Sequence, residues 1–447
     1  MGLTGIQIFK LLPGTNCKEC GYPTCLAFAM NLAAGKAELD QCPYVSDEAR
    51  KKLAEASAPP VRPVMIGKGV RAVKIGGETV EYRHEKTFVG PTAIAALVNS
   101  DIGEDELKNK LRVWNAFQYE RVGLNLRPEL IALKDVNRNR DEFAAKAKLI
   151  AELSEFNLIL MSENKDVMEA AIKVTKFKNP LIYAATEANI DDFGKLAKDN
   201  DLPIAVKAES VEKLIPLTEK LAEMGLKNIV IDPGSREPKQ AFIDQVAIRR
   251  AAVRQKNRAV GYPTILFPCE MASNLDVETL LAATFIAKYG GIVVLSDFQP
   301  ESLFPLLIER LNIFTDPQRP MTVSEGIYEI GKPDENSPVI VTANFALTYF
   351  IVSGEIEASK VPTWLLIKDT EGLSVLTAWA AGKFSGDDVG LFVKRCGIAD
   401  KIKHKELIIP GYAAAIVGEL EEELPDWKII VGPREAAHLP AFLRARK

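Results

Sequence analysis

The chain has 447 residues, 47% hydrophobic and 26% charged, and its 56 Lys plus Arg nearly balance its 60 Asp plus Glu for a net charge of -4. This composition excludes a disordered or collagenous chain, and the missing basic excess argues against a dedicated nucleic-acid binder. No apolar run reaches the roughly 18 residues that span a bilayer, and the segment Met1 to Ile6 carries neither a secretory nor a myristoylation signal, so a cytoplasmic protein with no membrane partner is expected.

Residues 1–60 read as a unit of their own. Ile6 to Leu12 is a short amphipathic turn broken by Pro13-Gly14, and helices are expected over Leu26–Ala37 and Ser46–Ala56, before a stiff linker at Pro59-Pro60 and Pro63. Four of the six cysteines fall here, spaced Cys17-x2-Cys20-x4-Cys25-x16-Cys42. They are too few for a disulfide framework in a chain of this length, and their clustering points to a metal centre. Three thiolates on a loop bent by Gly21 and Pro23 suit three corners of a [4Fe-4S] cubane, with a fourth returning after a helix to close it. Zinc is the rival occupant, but a zinc ribbon pairs two Cys-x2-Cys knuckles and only one is present.

From 61 to about 320 one pattern repeats: a short apolar run, a polar turn, then a helical period. The strand-like runs are Leu130–Leu133, Leu158–Met161, Leu181–Ala184, Ile204–Val206, Ile229–Ile231, Ile265–Phe267 and Ile292–Leu295, with Thr87–Val89 as an eighth, followed by a helix over Pro91–Val98. Amphipathic stretches such as Asp141–Leu153, Lys165–Lys176, Val211–Met224 and Val277–Lys288 lie between them. Eight such units in about 250 residues are the arithmetic of a (β/α)8 TIM-like barrel; an open parallel sheet is the alternative. The strand ends carry Lys134-Asp135, Ser162-Glu163, Lys207, Asp232, Cys269-Glu270 and Ser296-Asp297. Barrel active sites sit at such positions, but Asp and Ser there are expected to cap the following helices.

After Pro317 and Pro320 the rhythm continues over 321–447 with different turns. Val339–Val341, Trp364–Ile367, Leu407–Ile409 and Ile429–Val431 are expected strands of a smaller, Rossmann-like open α/β sheet. Their turns are rich in Thr, Gly and Pro (Thr342-Ala-Asn344, Asp369-Thr-Glu-Gly372, Pro410-Gly-Tyr412, Gly432-Pro-Arg434), which lets a large flat or phosphate-bearing ligand approach the backbone. The expected organisation is thus a cluster module at 1–60, a barrel at 61–320 and an open α/β domain at 321–447.

The string from Cys17 to Cys25 with Cys42, together with Asp369-Thr-Glu-Gly-Leu-Ser-Val-Leu-Thr-Ala-Trp379 and Leu424-Pro-Asp-Trp-Lys-Ile-Ile-Val-Gly-Pro-Arg-Glu-Ala-Ala437, resembles the large (gamma) subunit of the corrinoid iron–sulfur protein of the acetyl-CoA synthase/carbon monoxide dehydrogenase system, over essentially the whole chain. The resemblance implies a heterodimer with a smaller barrel subunit and a cobamide held base-off between that partner and the C-terminal domain. It implies methyl carriage in the reductive acetyl-CoA pathway: Co(I) accepts methyl from methyltetrahydrofolate through a separate methyltransferase, and methyl-Co(III) donates it to acetyl-CoA synthase. The cluster returns inactive Co(II) to Co(I). Cys17, Cys20, Cys25 and Cys42 match the cluster ligands, and Thr342, Asn344, Thr348, Thr370, Glu371, Gly372, Leu373, Ser374, Gly411, Tyr412, Gly432, Pro433 and Arg434 fall in the turns that would contact the cobamide. None of His84, His404 and His438 stands in an Asp-x-His-x-x-Gly cobalt-ligand motif, so no protein histidine is expected on cobalt. Two other readings stay open: a barrel methyltransferase with its own active site, and an electron-transfer protein with another flat cofactor such as a flavin.

Overall fold

A computed structural model describes the chain except residues 1–3, 34–36, 38, 47, 51–52, 54–57, 122–123, 317–319 and 447. The end of the expected 26–37 helix, most of the expected 46–56 helix and the break at Pro317 therefore lie outside the described residues. The chain forms two compact units. One comprises Met1–Glu81, Val89–Trp114 and Glu129–Leu306; the other comprises Tyr82–Phe88, Asn115–Pro128 and Leu307–Lys447.

The first unit is built on a barrel. A hairpin of β1 (Val64–Ile66) and β2 (Val73–Ile75) precedes β3 (Ala93–Asn99). The barrel itself consists of β3 and seven further parallel strands. The short pair β4 (Tyr119–Arg121) and β5 (Leu124–Leu126) belongs to the second unit. There follow β6 (Leu130–Lys134), β7 (Asn157–Met161), β8 (Leu181–Ala185), β9 (Ile204–Lys207), β10 (Ile229–Asp232), β11 (Thr264–Leu266) and β12 (Gly290–Leu295). These strands close in chain order, with β12 returning to pair with β3. Burial on both faces explains why they read as continuous apolar runs rather than alternating ones. Seven of the eight expected strands and their intervening helices are found at these positions.

The first strand is a correction. It is Ala93–Asn99, not Thr87–Val89, so the segment expected to be a helix is a strand hydrogen-bonded between β12 and β6. An Ala-Ile-Ala-Ala-Leu-Val run favours helix by local propensity, but Ala93 and Ala95, at most 1% exposed, are small enough for the crowded barrel core, and packing overrides propensity. The β1–β2 hairpin was not anticipated. Val64, Ile66 and Ile75 share one core with Ala93, Leu130 and Leu181, the opening residues of three barrel strands. Asn157 Nδ2 donates to the Arg71 carbonyl (2.7 Å) and Gly67 N–H to the Asn179 carbonyl (3.0 Å), so the hairpin closes the amino-terminal end of the barrel.

The second unit carries a five-stranded sheet of β13 (Gly326–Ile330), β14 (Val339–Ala343), β15 (Thr363–Lys368), β16 (Glu406–Ile409) and β17 (Lys428–Val431). The order is β13-β15-β14-β16-β17. The four anticipated strands are parallel, and the additional edge strand β13 runs antiparallel to β15. From β14 the chain first adds β15 on one side and then crosses to add β16 on the other. The strand order reverses between β14 and β16, which makes the crevice outside their carboxyl ends the expected ligand position of such a sheet. Apolar clusters cover both faces: Val341, Leu366, Phe384 and Phe392 on one, Ile340, Ile356, Leu365 and Leu443 on the other.

Candidate functional site

The amino-terminal thiols are organised by two short helices. Gly5–Phe9 is fixed by a reciprocal capping box between Thr4 and Gln7, and Cys25–Ala33 begins where Thr24 Oγ1 accepts the Ala27 N–H at 3.0 Å. Between them the backbone turns repeatedly through the left-handed region, at Gly14, Asn16, Lys18 and Gly21. Asn16 locks the loop onto the helix: its N–H donates to Cys25 Sγ (3.4 Å) while its Oδ1 accepts the Cys25 N–H (2.8 Å). An N–H aimed at sulfur in this way is the kind of hydrogen bond made to cluster-ligating sulfurs. Cys25 and Cys42 are buried in one core with Ile8, Phe28 and Val45, and Cys20 packs against it, whereas Cys17 is exposed. The Tyr44 hydroxyl donates to Glu19 Oε1 at 2.8 Å, and that bond, with the carboxylate charge and the nearby Cys17 and Cys42, raises its pKa. Among the described residues no group of three or more His, Cys, Asp or Glu is gathered as around one metal ion. The donor set (soft thiols sharing one small core, with a backbone N–H turned to sulfur) fits an iron–sulfur centre.

At the crevice between β14 and β16 lies a cavity of about 370 Å³. Of the sequence-predicted contacts, Thr342, Thr348, Ser374, Tyr412, Gly432, Pro433 and Arg434 line it. The remaining lining is largely apolar and includes Ile351, Val375, Leu376 and Leu439, residues that sequence reasoning missed. For two of them the signal is exposure of a large apolar side chain: Ile351 is 47% and Leu376 51% exposed. Tyr412, 48% exposed, donates to Glu435 Oε1 at 2.8 Å, which raises the phenol pKa. None of the three histidines lines the cavity.

Asn344, Thr370, Glu371, Gly372, Leu373 and Gly411 are not among the lining residues; most of them shape the turns behind it. Buried Asn344 is the hub. Its Oδ1 accepts the Thr370 N–H (3.0 Å) and the Gly372 N–H (3.0 Å) and lies 2.9 Å from the Thr370 hydroxyl, while its Nδ2 donates to Asp369 Oδ1 (2.8 Å). These bonds hold Glu371 and Gly372 at φ +54° and +79°. Gly411 admits no side chain, because a Cβ there would stand 2.7 Å from the Arg434 nitrogen and the Gly432 oxygen. Replacing Asn344 with Ala should orphan those amides at about 1–3 kcal/mol each. The expected result is tenfold or faster hydrogen exchange at Thr370 and Gly372, checked by residue-resolved exchange; unchanged protection would contradict this role.

A thiol-rich module, a closed parallel barrel and an open sheet with an apolar crevice at its switch point define a multidomain α/β protein of the cofactor-binding kind. Residues 63–443 match the family described as CO dehydrogenase/acetyl-CoA synthase delta subunit, and residues 12–44 match one described as a putative Fe-S cluster. The chain is 46% identical over 445 residues to the corrinoid/iron-sulfur protein large subunit of Moorella thermoacetica, covering 100% of this chain and 99% of that one. It is 36% identical over 452 residues to the acetyl-CoA decarbonylase/synthase complex subunit gamma of Methanopyrus kandleri, covering 99% and 97%. The chain therefore belongs to the family of corrinoid/iron–sulfur protein large, or gamma, subunits. No helix among the described residues is long and apolar enough to cross a membrane.

Proposed function

We propose that this chain is the large subunit of a methyl carrier of the reductive acetyl-CoA pathway, working in the cytoplasm. It would pair with a small barrel subunit and exchange methyl groups with a methyltetrahydrofolate methyltransferase and with acetyl-CoA synthase/carbon monoxide dehydrogenase. The observation that carries the reading is the pairing, on one chain, of the four-thiol module with an apolar crevice at the switch point of the second sheet. In this reading the chain functions as three parts, 1–60, 61–320 and 321–447. Cys17, Cys20, Cys25 and Cys42 hold a [4Fe-4S] cluster. Thr342, Thr348, Ser374, Tyr412, Gly432, Pro433 and Arg434 contact a cobamide, bound base-off without a protein histidine, while Asn344, Thr370, Glu371, Gly372, Leu373 and Gly411 shape its bed. When bound, the cobamide supplies a reduced cobalt nucleophile that takes up and hands on methyl, and the cluster supplies the single electron that restores it.

The residues of this chain position and shield. Ile351, Val375 and Leu376 exclude water from a face whose reactive metal needs a dry surrounding. The half-exposed side chains Leu347 and Trp379 remain available for the partner's cover. The test is anaerobic: the reduced heterodimer, mixed with methyltetrahydrofolate and a methyltransferase, should lose its Co(I) absorption as one methyl per chain is taken up. A protein that binds a flavin and takes up no methyl would overturn the proposal.

A further inference from the structure

The carboxyl-terminal mouth of the barrel holds a second cavity, of about 560 Å³, in the first unit. Asp and Ser at the strand ends were expected to cap helices, and the structure corrects this: the caps are supplied by Asn139, Asn164, Ser210, Glu237 and Asn274, further along each loop. The strand-end side chains are thereby released from capping, and Lys134, Asp135, Ser162, Glu163, Lys207 and Glu270 line the cavity instead.

Their arrangement has a fixed floor and adaptable walls. Asp232, 1% exposed, accepts the Tyr183 hydroxyl at 2.6 Å and two guanidinium N–H groups of Arg236 at 2.9 and 3.2 Å. Arg236 also donates to Glu270 (2.6 Å) and lies over the Phe267 ring, so it cannot turn away. Lys134 at the end of β6 reaches Glu270 beyond β11 (2.9 Å), and Lys207 at the end of β9 reaches Glu163 beyond β7 (3.1 Å). Each ammonium has three N–H donors, and these ion pairs use one of them. Both lysines are about 40% exposed, where an ion pair contributes little and can exchange partners. Arg138 adds a further cation to the lining. Asp135 is already engaged by the Ser162 hydroxyl (2.7 Å) and the Arg138 N–H (2.8 Å). The lining carboxylates also keep lone pairs, so what the cavity offers to an incoming acceptor is the unused N–H of its cations.

We propose that the barrel mouth is a second ligand site, in which Lys134 and Lys207 exchange their carboxylate partners for the oxyanion of a small organic molecule, a carboxylate or a phosphate ester. The cavity is larger than a free inorganic ion requires, so the oxyanion belongs to a larger ligand that rests on the Arg236–Tyr183 floor. This site is independent of the corrinoid reading, because none of its residues belongs to the second unit.

Calorimetric titration of the full chain with succinate, with glycerol 3-phosphate and with neutral glycerol tests it. Saturable binding of one anion and none of glycerol is expected, and which anion binds distinguishes carboxylate from phosphate. Lys134→Gln and Lys207→Gln should each weaken binding at least tenfold. Glu163→Gln breaks the same ion pair as Lys207→Gln but leaves the ammonium free, so it should bind as tightly as the parent or more tightly. Binding of neither anion, equal binding of glycerol, indifference to both lysine variants, or equal loss in Glu163→Gln and Lys207→Gln would overturn the proposal.

Discussion

Replacing Cys42 or Cys25 with alanine should strip the amino-terminal module of iron and abolish its broad visible absorption. Each removes one of only four thiolates available to a cubane, and each also belongs to the small core: Cys42 is 3% and Cys25 6% exposed, packed with Ile8, Phe28 and Val45. Arg50 braces the same segment by donating to the Cys42 carbonyl at 3.2 Å. Loss of cluster and loosening of the module should therefore coincide in these variants. Exposed Cys17 separates the two effects: Cys17→Ser should lose intact cluster with little change in the module's packing. Cobalt content should survive in all three, since the crevice lies in the second unit. Iron and cobalt counts on anaerobically purified variants check this, and full iron retention in Cys42→Ala would contradict the ligand assignment.

The second large effect is expected at Asp232. Substitution by Ala removes the acceptor of two Arg236 N–H groups, leaves that guanidinium (side chain 26% exposed) with Glu270 as its remaining carboxylate, and strands the Tyr183 hydroxyl and the Gly234 N–H. Leaving these donors without an acceptor costs about 1–3 kcal/mol each where they are buried, about 3–5 kcal/mol together. At about 2–4 °C per kcal/mol for a unit of this size, the barrel's thermal midpoint should fall by roughly 10 °C. The Tyr183 phenol, whose pKa is raised well above the usual value by burial first and by the Asp232 charge next, is a second reporter. Removing that charge should lower its titration toward the ordinary range. A midpoint unchanged within a degree would show that the Arg236–Asp232 pair contributes nothing net.

Much of this architecture was legible in the residues. Buried parallel strands announce themselves as short apolar runs, and seven barrel strands and four of the second sheet fall where those runs are. The misses share a cause. Ala93–Asn99 is a strand because of its neighbours β12 and β6, which lie far away in the chain, and β13 is a half-buried edge strand whose Gly326 and Glu329 blur the apolar signal. Tyr82–Phe88 and Asn115–Pro128 join the second unit although both lie within the barrel's stretch of sequence: Arg83 donates to the carbonyls of Asn312 and Ile313, and Arg121 lies over the Phe350 ring. Contiguous reading does not register such exchanges.

The spacing of Cys17, Cys20, Cys25 and Cys42 pointed to a metal centre with zinc as the rival occupant, and the match of residues 12–44 to a putative Fe-S cluster family favours iron–sulfur. The crevice was readable only in part. Thr, Gly and Pro at strand ends marked its rim, yet which of them line it is not written in the sequence: Thr342 and Arg434 do, whereas the Asn344 side chain turns to the 369–372 loop and Gly411 serves a close backbone approach to 432–434. The apolar half was missed because Ile351 and Leu376 look like ordinary helix residues until their exposure is seen.

The most direct test of the central claim is a metal count coupled to a reduction. In anaerobically isolated protein complexed with its small subunit, roughly four irons per chain should be found with one cobalt and no zinc. Stepwise addition of a low-potential reductant should bleach the iron–sulfur absorption and convert Co(II) to Co(I) in the same sample, and Cys17→Ser should lose that conversion at equal cobalt content. Zinc in place of iron, an absence of cobalt, or undiminished cobalt reduction in Cys17→Ser would contradict the account.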